Sequence, residues 1–304
     1  MKYPKVILLL VALTFLSLFF QGCTQEEKVT KSKHPQILIR VDDVGMNHSV
    51  NMAAAKLSST QIPFSASVMT PCPWFEEAVA VLSDKRHISV GVHLTLNSEW
   101  QNYRWGSVLG QTAVPSLVND DGYFYPTTAL FLENAPKPGE VRSELRAQID
   151  KAFASGLEIE YLDYHMGTAV STPEFTAIVE KLAHDYGLGI ARYFGESYGS
   201  GIYSVAPVNK LDSLIAIVET FQPGETYLQV FHIGRNTPEM QALKDLNPNG
   251  LANVAAHRQA ELDALISPDF IMALERNGIR LVNYGSLIQE RGLQSMKRPA
   301  DFQY

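Results

Sequence analysis

The sequence predicts an α/β fold, and within that class a TIM-like β/α barrel. Short apolar runs alternate along the chain with longer segments of helical periodicity, the signature of βα units feeding a mainly parallel sheet. Roughly seven or eight such units share about 265 residues, close to the ~250 residues of a barrel of this kind. The 304-residue chain, 46% hydrophobic with charges spread throughout, can bury the large core such a fold requires.

Ahead of the folded part lies a segment of different character. Lys2 and Lys5 precede an apolar run from Val6 to Phe20, too short to favour a spanning helix, which ends in Phe20-Gln21-Gly22-Cys23. A small residue directly before a cysteine at the end of such a run resembles the lipobox of bacterial lipoproteins, in which the cysteine is diacylated and becomes the new N-terminus. The resemblance implies a signal peptide over residues 1–22 and a membrane anchor through lipid on Cys23. Residues 23–35, rich in Gln25, Glu26, Glu27, Lys28, Lys31 and Lys33, suit a flexible tether. The other reading of the run is an uncleaved membrane anchor. Both place the domain of residues 36–304 outside the cytoplasm, in the periplasm or at the cell surface.

Within that domain Ile37 to Val41 reads as the first strand and Asn51 to Ser58 as the helix after it; Phe64 to Met69 and Trp74 to Leu82 repeat the pair. The third strand, Ile88 to Leu96, is followed by a long irregular stretch containing Trp100, Tyr103, Trp105, Gly106, Gly110, Gly122 and Pro126. A loop of that length in a compact domain is usually functional, so a substrate-covering insertion is expected, its aromatic rings available either for packing or for stacking on a ligand. A helix from Gly139 to Ala154, a strand from Ile159 to His165 and a helix from Pro173 to Tyr186 resume the alternation. Gly189 to Tyr193 and Tyr227 to Ile233 read as later strands. Ala255 to Ile266, Pro268 to Asn277 and Ile279 to Tyr284 then read as helix, helix and last strand.

Composition narrows the function. A net charge of −7 without a cluster of Lys and Arg in the folded part argues against nucleic acid, whose phosphates demand one. There are two cysteines, and lipid on Cys23 would leave Cys72, between Pro71 and Pro73, without a disulfide partner. Its default role is that of a small buried side chain.

Four strand ends carry chemistry. Val41-Asp42-Asp43-Val44-Gly45 closes the first strand with adjacent carboxylates and a turn glycine. Neighbours on a strand point to opposite faces, but a turn at the strand end can bring both into one cleft. His93 closes the third strand, His165 the one that begins at Ile159, and His232 lies in the run from Tyr227 to Ile233. Asp163 shares a face with His165 and could support an imidazole. Each motif alone reads as an ordinary turn or a core histidine. Their coincidence at the end where barrels place catalytic groups points instead to a metal site, because two neutral imidazoles and a carboxylate leave coordination positions open for water.

Arg40-Val41-Asp42-Asp43-Val44-Gly45, Asn51, Ser65-Ala66-Ser67-Val68-Met69, Gly91-Val92-His93-Leu94-Thr95-Leu96-Asn97 and Leu162-Asp163-Tyr164-His165 together resemble the YdjC-like carbohydrate deacetylases, over residues 36 to 285. His232, Arg258 and Glu261-Leu262 resemble the C-terminal signatures of the same family. The resemblance implies a distorted β/α barrel and hydrolysis of acetyl groups from N-acetylated amino sugars or oligosaccharides. It implies metal ligation by Asp43, His93 and His165 and a general base in Asp42. His232 is the candidate proton donor. The donor set suits one divalent ion, magnesium or zinc ahead of manganese or cobalt. The family usually follows its third ligand with further histidines; Met166, Gly167 and Thr168 stand there instead, which bears on the substrate more than on the metal.

Two rival readings remain at this level. A glycosidase using Asp42 and Asp43 needs carboxylates about 5–5.5 Å or more apart across a sugar bond, which adjacent residues seldom span, and it leaves the histidines without a role. A carbohydrate-binding surface lipoprotein on a degenerate barrel accounts for the missing histidines, but not for the retention of all the metal ligands and the base.

Overall fold

The computed structural model describes residues 33–199, 201–248 and 250–300. The segment read as a signal peptide, Cys23 and nearly all of the tether lie outside the described residues. Among the described residues no helix is long and apolar enough to cross a membrane.

The strands are β1 (Gln36–Val44), β2 (Phe64–Val68), β3 (Ile88–Leu94), β4 (Ile159–Tyr164), β5 (Gly189–Ile190), β6 (Ser197–Tyr198), β7 (Thr226–Phe231) and β8 (Arg280–Val282). They form one parallel sheet in the order β5-β4-β3-β2-β1-β7-β6. β8 pairs with the first half of β1, Gln36 to Leu38, on the side where β2 pairs from Arg40 onward. The helices are α1 (His48–Ser58), α2 (Phe75–Leu82), α3 (Thr128–Glu133), α4 (Pro138–Ala154), α5 (Pro173–Tyr186), α6 (Lys210–Val218), α7 (Pro238–Gln241), α8 (Val254–Leu265), α9 (Pro268–Arg276) and α10 (Tyr284–Arg291).

The expected distorted barrel is therefore present, and the distortion has a local cause. Among the described residues the outer strands β5 and β6 are two residues each and do not pair, so the sheet stays open there. The longer strand expected from Gly189 to Tyr193 stops at Ile190 because Arg192 adopts φ 73, outside the extended region. The alternation missed β6, α3, α6, α7 and α10, which are short or lie in segments with mixed polarity.

Strand alternation sorts the core into two layers. Ile37, Ile39 and Val41 of β1 join Ala66, Val90, Val92 and Leu162 in the large apolar cluster that also takes Leu57 of α1, Ile149 of α4 and Leu182 of α5. The opposite face holds a smaller cluster: Leu38, Tyr161, Leu228, Val282, Tyr284 and Leu287, with the Tyr161 and Tyr284 rings 4.3 Å apart. Above this plug the same face turns polar, because Arg40 and Asp42 follow Leu38 at the two-residue period of a strand. The Tyr161 hydroxyl meets Ser67 Oγ at 2.9 Å.

Gly91 makes room for this plug. A Cβ there would lie 2.5 Å from the Tyr161 ring. Gly91→Ala is expected to cost about 1–3 kcal/mol through overpacking, read as a lower denaturation midpoint with unchanged m-value; an unchanged midpoint would show that the ring has room to move.

Candidate metal centre

Asp42 and Asp43 sit in an irregularity of β1. Val41 pairs with Ala66 and Val44 with Val68, so β1 spends one more residue than β2 between these partners. Asp43 adopts φ 65, a left-handed conformation that breaks the alternation and turns its carboxylate toward the same end as that of Asp42. Gly45, at φ 94, completes the turn, and its N–H donates to Asn51 Oδ1 at 2.8 Å. Asn51 Nδ2 donates to the Trp74 carbonyl and to Glu77 Oε2, which accounts for a buried asparagine early in α1.

His93 lies within β3, paired with Asp163 of β4. His165 follows β4 directly and begins a short turn in which Met166 (φ 50) and Gly167 (φ 72) are both left-handed. The sheet brings the expected ligands together. His165 Nδ1 is 3.3 Å from Asp43 Oδ1, His93 Nε2 is 3.5 Å from the same oxygen, and the two nitrogens are 3.3 Å apart. Donors about 2.0–2.1 Å from a shared ion, at octahedral to tetrahedral angles, lie about 2.9–3.4 Å from one another, so this triangle has the dimensions of one coordination face. Asp43 Oδ1, at its corner, is buried and has no hydrogen-bond partner. The residues present thus fit a divalent cation.

Each ligand is aimed by a buried partner. Arg258, reaching from α8, donates from Nη2 to Asp43 Oδ2 at 2.6 Å and leaves Oδ1 facing the triangle. Asp163 Oδ2 is 2.8 Å from His93 Nδ1, which directs Nε2 inward. Glu99 Oε2 is 3.0 Å from His165 Nε2, which directs Nδ1 inward. Arg40 ties the set to Asp42: its Nε and Nη2 donate to the Asp42 carboxylate at 2.7 and 2.8 Å, and its Nη1 meets Asp163 Oδ1 at 2.8 Å.

The electrostatics follow from this crowding. Burial opposes a charge on His93, but Asp163 and Asp42 outweigh it and raise the imidazole to about 9. His165, equally buried, is raised to about 10 by Glu99 and Asp43. Burial also opposes the charge on Asp43, which Arg258 and the two histidines nevertheless hold well below the usual carboxylate range. Asp163 falls to about 2 against its burial, chiefly through Arg40 and His93. Buried carboxylates here demand positive charge, which protons or a dication can supply.

His232 lies just beyond β7, half-buried, with Nε2 4.0 Å from Asp42 Oδ2. The expected site residues therefore share one end of the sheet. The long insertion behaves differently from a sugar-stacking lid: Trp100 and Trp105 are buried, 2% and 3% exposed. Trp105 donates to the Asn97 carbonyl and sets its ring edge-on to His165, while Trp100 lies 5.9 Å from the Arg258 guanidinium. They wall the site by packing, as does Tyr103, whose hydroxyl donates to the Met46 carbonyl. Cys72 is free and buried, the default role expected of it.

Sequence reasoning did not single out Glu99, and gave no role to Arg40 or Arg258. Arg40 had a readable signal, an arginine two residues before Asp42 on the same strand face. Glu99, six residues past His93 in an irregular stretch, had none beyond its charge.

The chain is similar to known proteins over most of its length. Residues 36–276 match the model of a family described as YdjC-like protein. A carbohydrate deacetylase of Geobacillus stearothermophilus is 26% identical over 261 residues, covering 81% of this chain and 96% of that one. One from Thermoanaerobacter pseudethanolicus is 24% identical over 270 residues, covering 83% and 98%. A crystal structure from Enterococcus faecalis V583, described as a candidate cellobiose-phosphate cleavage protein, shares the fold with a TM-score of 0.69 at 22% identity, covering 84% of this chain and 99% of that one. Every residue of the triangle and its supports falls inside the matched span, and the chain belongs to the YdjC-like family.

Proposed function

We propose that the protein is a metal-dependent carbohydrate deacetylase that hydrolyses the acetamide of an N-acetylated amino sugar or oligosaccharide. The single observation that carries the reading is the triangle of Asp43 Oδ1, His93 Nε2 and His165 Nδ1 with its unsatisfied buried oxygen. Relatives named carbohydrate deacetylases match nearly their whole length and support the substrate class.

A divalent ion bound by these residues supplies Lewis-acid chemistry, lowering the pKa of water and polarising a carbonyl. Asp42 accepts the proton that the attacking water gives up. Its oxygens each hold one hydrogen bond from Arg40 and retain a further lone pair for that proton. Water's oxygen bonds to the carbonyl carbon, the C–N bond breaks, and the amine needs a proton. His232, close to Asp42 and partly open to solvent, donates it. Acetate and a free amino sugar result. Lys2, Lys5, the apolar run to Phe20 and Cys23 support export and lipid anchoring of this activity.

Acetate release from N-acetylated oligosaccharides tests the reading. Release is expected with added magnesium or zinc and is lost on chelation; new reducing ends without acetate would indicate a glycosidase, and no product at all a binding protein. The same ion at 100 times its Kd is expected to stabilise the fold by about 2.7 kcal/mol, seen as a rise of several degrees in Tm that a chelator reverses.

A further inference from the structure

One buried charge has no part in the chemistry above. Lys210, at the start of α6, is fully buried, which an ammonium tolerates when each of its protons meets an acceptor. All do: Nζ donates to the Ile202 carbonyl at 2.6 Å, the Tyr203 carbonyl at 2.8 Å and Glu261 Oε1 at 3.0 Å. The other Glu261 oxygen accepts the backbone N–H of His232 at 2.6 Å. That N–H lies one residue beyond the last register pair of β7 with β1, Val41 with Phe231, so Glu261 takes over where the ladder ends. Tyr203, whose carbonyl Lys210 holds, sets its ring edge-on to the His232 ring with centroids 5.0 Å apart.

The imidazole has few anchors of its own. Nδ1 is buried without a hydrogen-bond partner, and Nε2 stands 4.0 Å from Asp42 Oδ2. Its orientation therefore depends on where its backbone is held and on the ring beside it. A buried ion pair that served stability alone would gain little over apolar residues of the same volume. This one aims an acceptor at the His232 N–H and holds the Tyr203 segment whose ring packs against the same histidine.

We propose that Lys210 is a positioning residue for His232: through Glu261 and through the Tyr203 segment it holds the imidazole in the orientation that delivers a proton to the departing nitrogen. The inference rests on the proton-donor role given to His232 under the proposed function. Lys210 touches neither the ligand triangle nor Asp42, so loss of the grip should weaken leaving-group protonation and spare metal binding.

The test compares an acetamide substrate with 4-nitrophenyl acetate, whose leaving group departs as a stable anion and needs no proton. His232→Ala, Lys210→Met and Glu261→Gln are assayed as the metal-loaded protein, with bound ion counted for each. Lys210→Met is expected to lower kcat on the acetamide by about tenfold or more, with KM within about twofold, ester turnover within about threefold and the ion content unchanged. Glu261→Gln keeps one acceptor for the His232 N–H but turns its NH2 donor toward the Lys210 ammonium, so the grip is broken while the N–H stays satisfied and a smaller loss of the same selectivity is expected; it decides the matter should Lys210→Met fail to fold. A folded Lys210→Met, or otherwise Glu261→Gln, with wild-type acetamide kcat overturns the proposal, as does an equal loss on amide and ester. Wild-type amide turnover in His232→Ala would instead sink the proton-donor reading beneath it.

Discussion

Asparagine in place of Asp42 is expected to leave one divalent ion bound per chain while lowering kcat for deacetylation by about 10²–10⁴-fold, and asparagine in place of Asp43 to lose ion and activity together. The two residues are neighbours, yet their surroundings divide the labour. Asp43 offers Oδ1 to the triangle with His93 and His165 and is held from behind by Arg258. Asp42 faces Arg40 on the inner face of β1 and has His232 as its next titratable neighbour toward solvent. On the proposed assignment, neutralising Asp42 removes a proton acceptor and preserves every ligand, whereas neutralising Asp43 removes a ligand charge. Metal content measured beside kcat and KM separates the outcomes. Loss of the ion in Asp42→Asn, or its full retention in Asp43→Asn, would reverse the assignments.

Arg40→Met is expected to give the largest loss of stability, about 3–5 kcal/mol, because it strands two buried anions at once. Arg40 is 7% exposed, Asp42 3% and Asp163 0%, and the guanidinium bridges both carboxylates. Removal of one partner from such a network exposes the full desolvation penalty of what remains. Asp163 would keep only His93 and the backbone, and the ring that Asp163 orients would lose its aim. Urea denaturation of metal-free protein measures the loss, and adding Asp163→Asn to Arg40→Met is expected to return part of it, since one stranded charge is then gone. A loss below about 1 kcal/mol would mean that water or a rearranged partner reaches these carboxylates.

Much of the site was legible because its principal groups sit at the ends of apolar runs. Strand ends are set by local alternation, and the C-terminal end of a parallel strand is where a barrel gathers its functional groups. Asp43, His93 and His165 could be read in this way without knowing which strands are neighbours, and the family resemblance supplied their roles. The aromatic insertion was legible only in part. Its rings could be read as packing the loop or as stacking on a ligand, and Trp100 and Trp105 follow the packing reading: they are buried walls whose indole nitrogens donate to Met46 Sδ and the Asn97 carbonyl. Composition identifies a loop as aromatic; it carries no information about which side of a ring meets the core.

The order of apolar runs by itself determined parallel βα units in the number a barrel needs, and the polar residues that close those runs marked the end where the site was expected; the resemblance supplied the barrel's distortion. Tertiary structure alone decided which partners aim them: Glu99 on His165 across 66 residues, Arg258 on Asp43 across 215, and Lys210 with Glu261 behind His232. The physical reason is range. Alternation and capping act over a few residues and leave a mark at each position, whereas a buried ion pair exists only once sheet and helices have closed and removed its water.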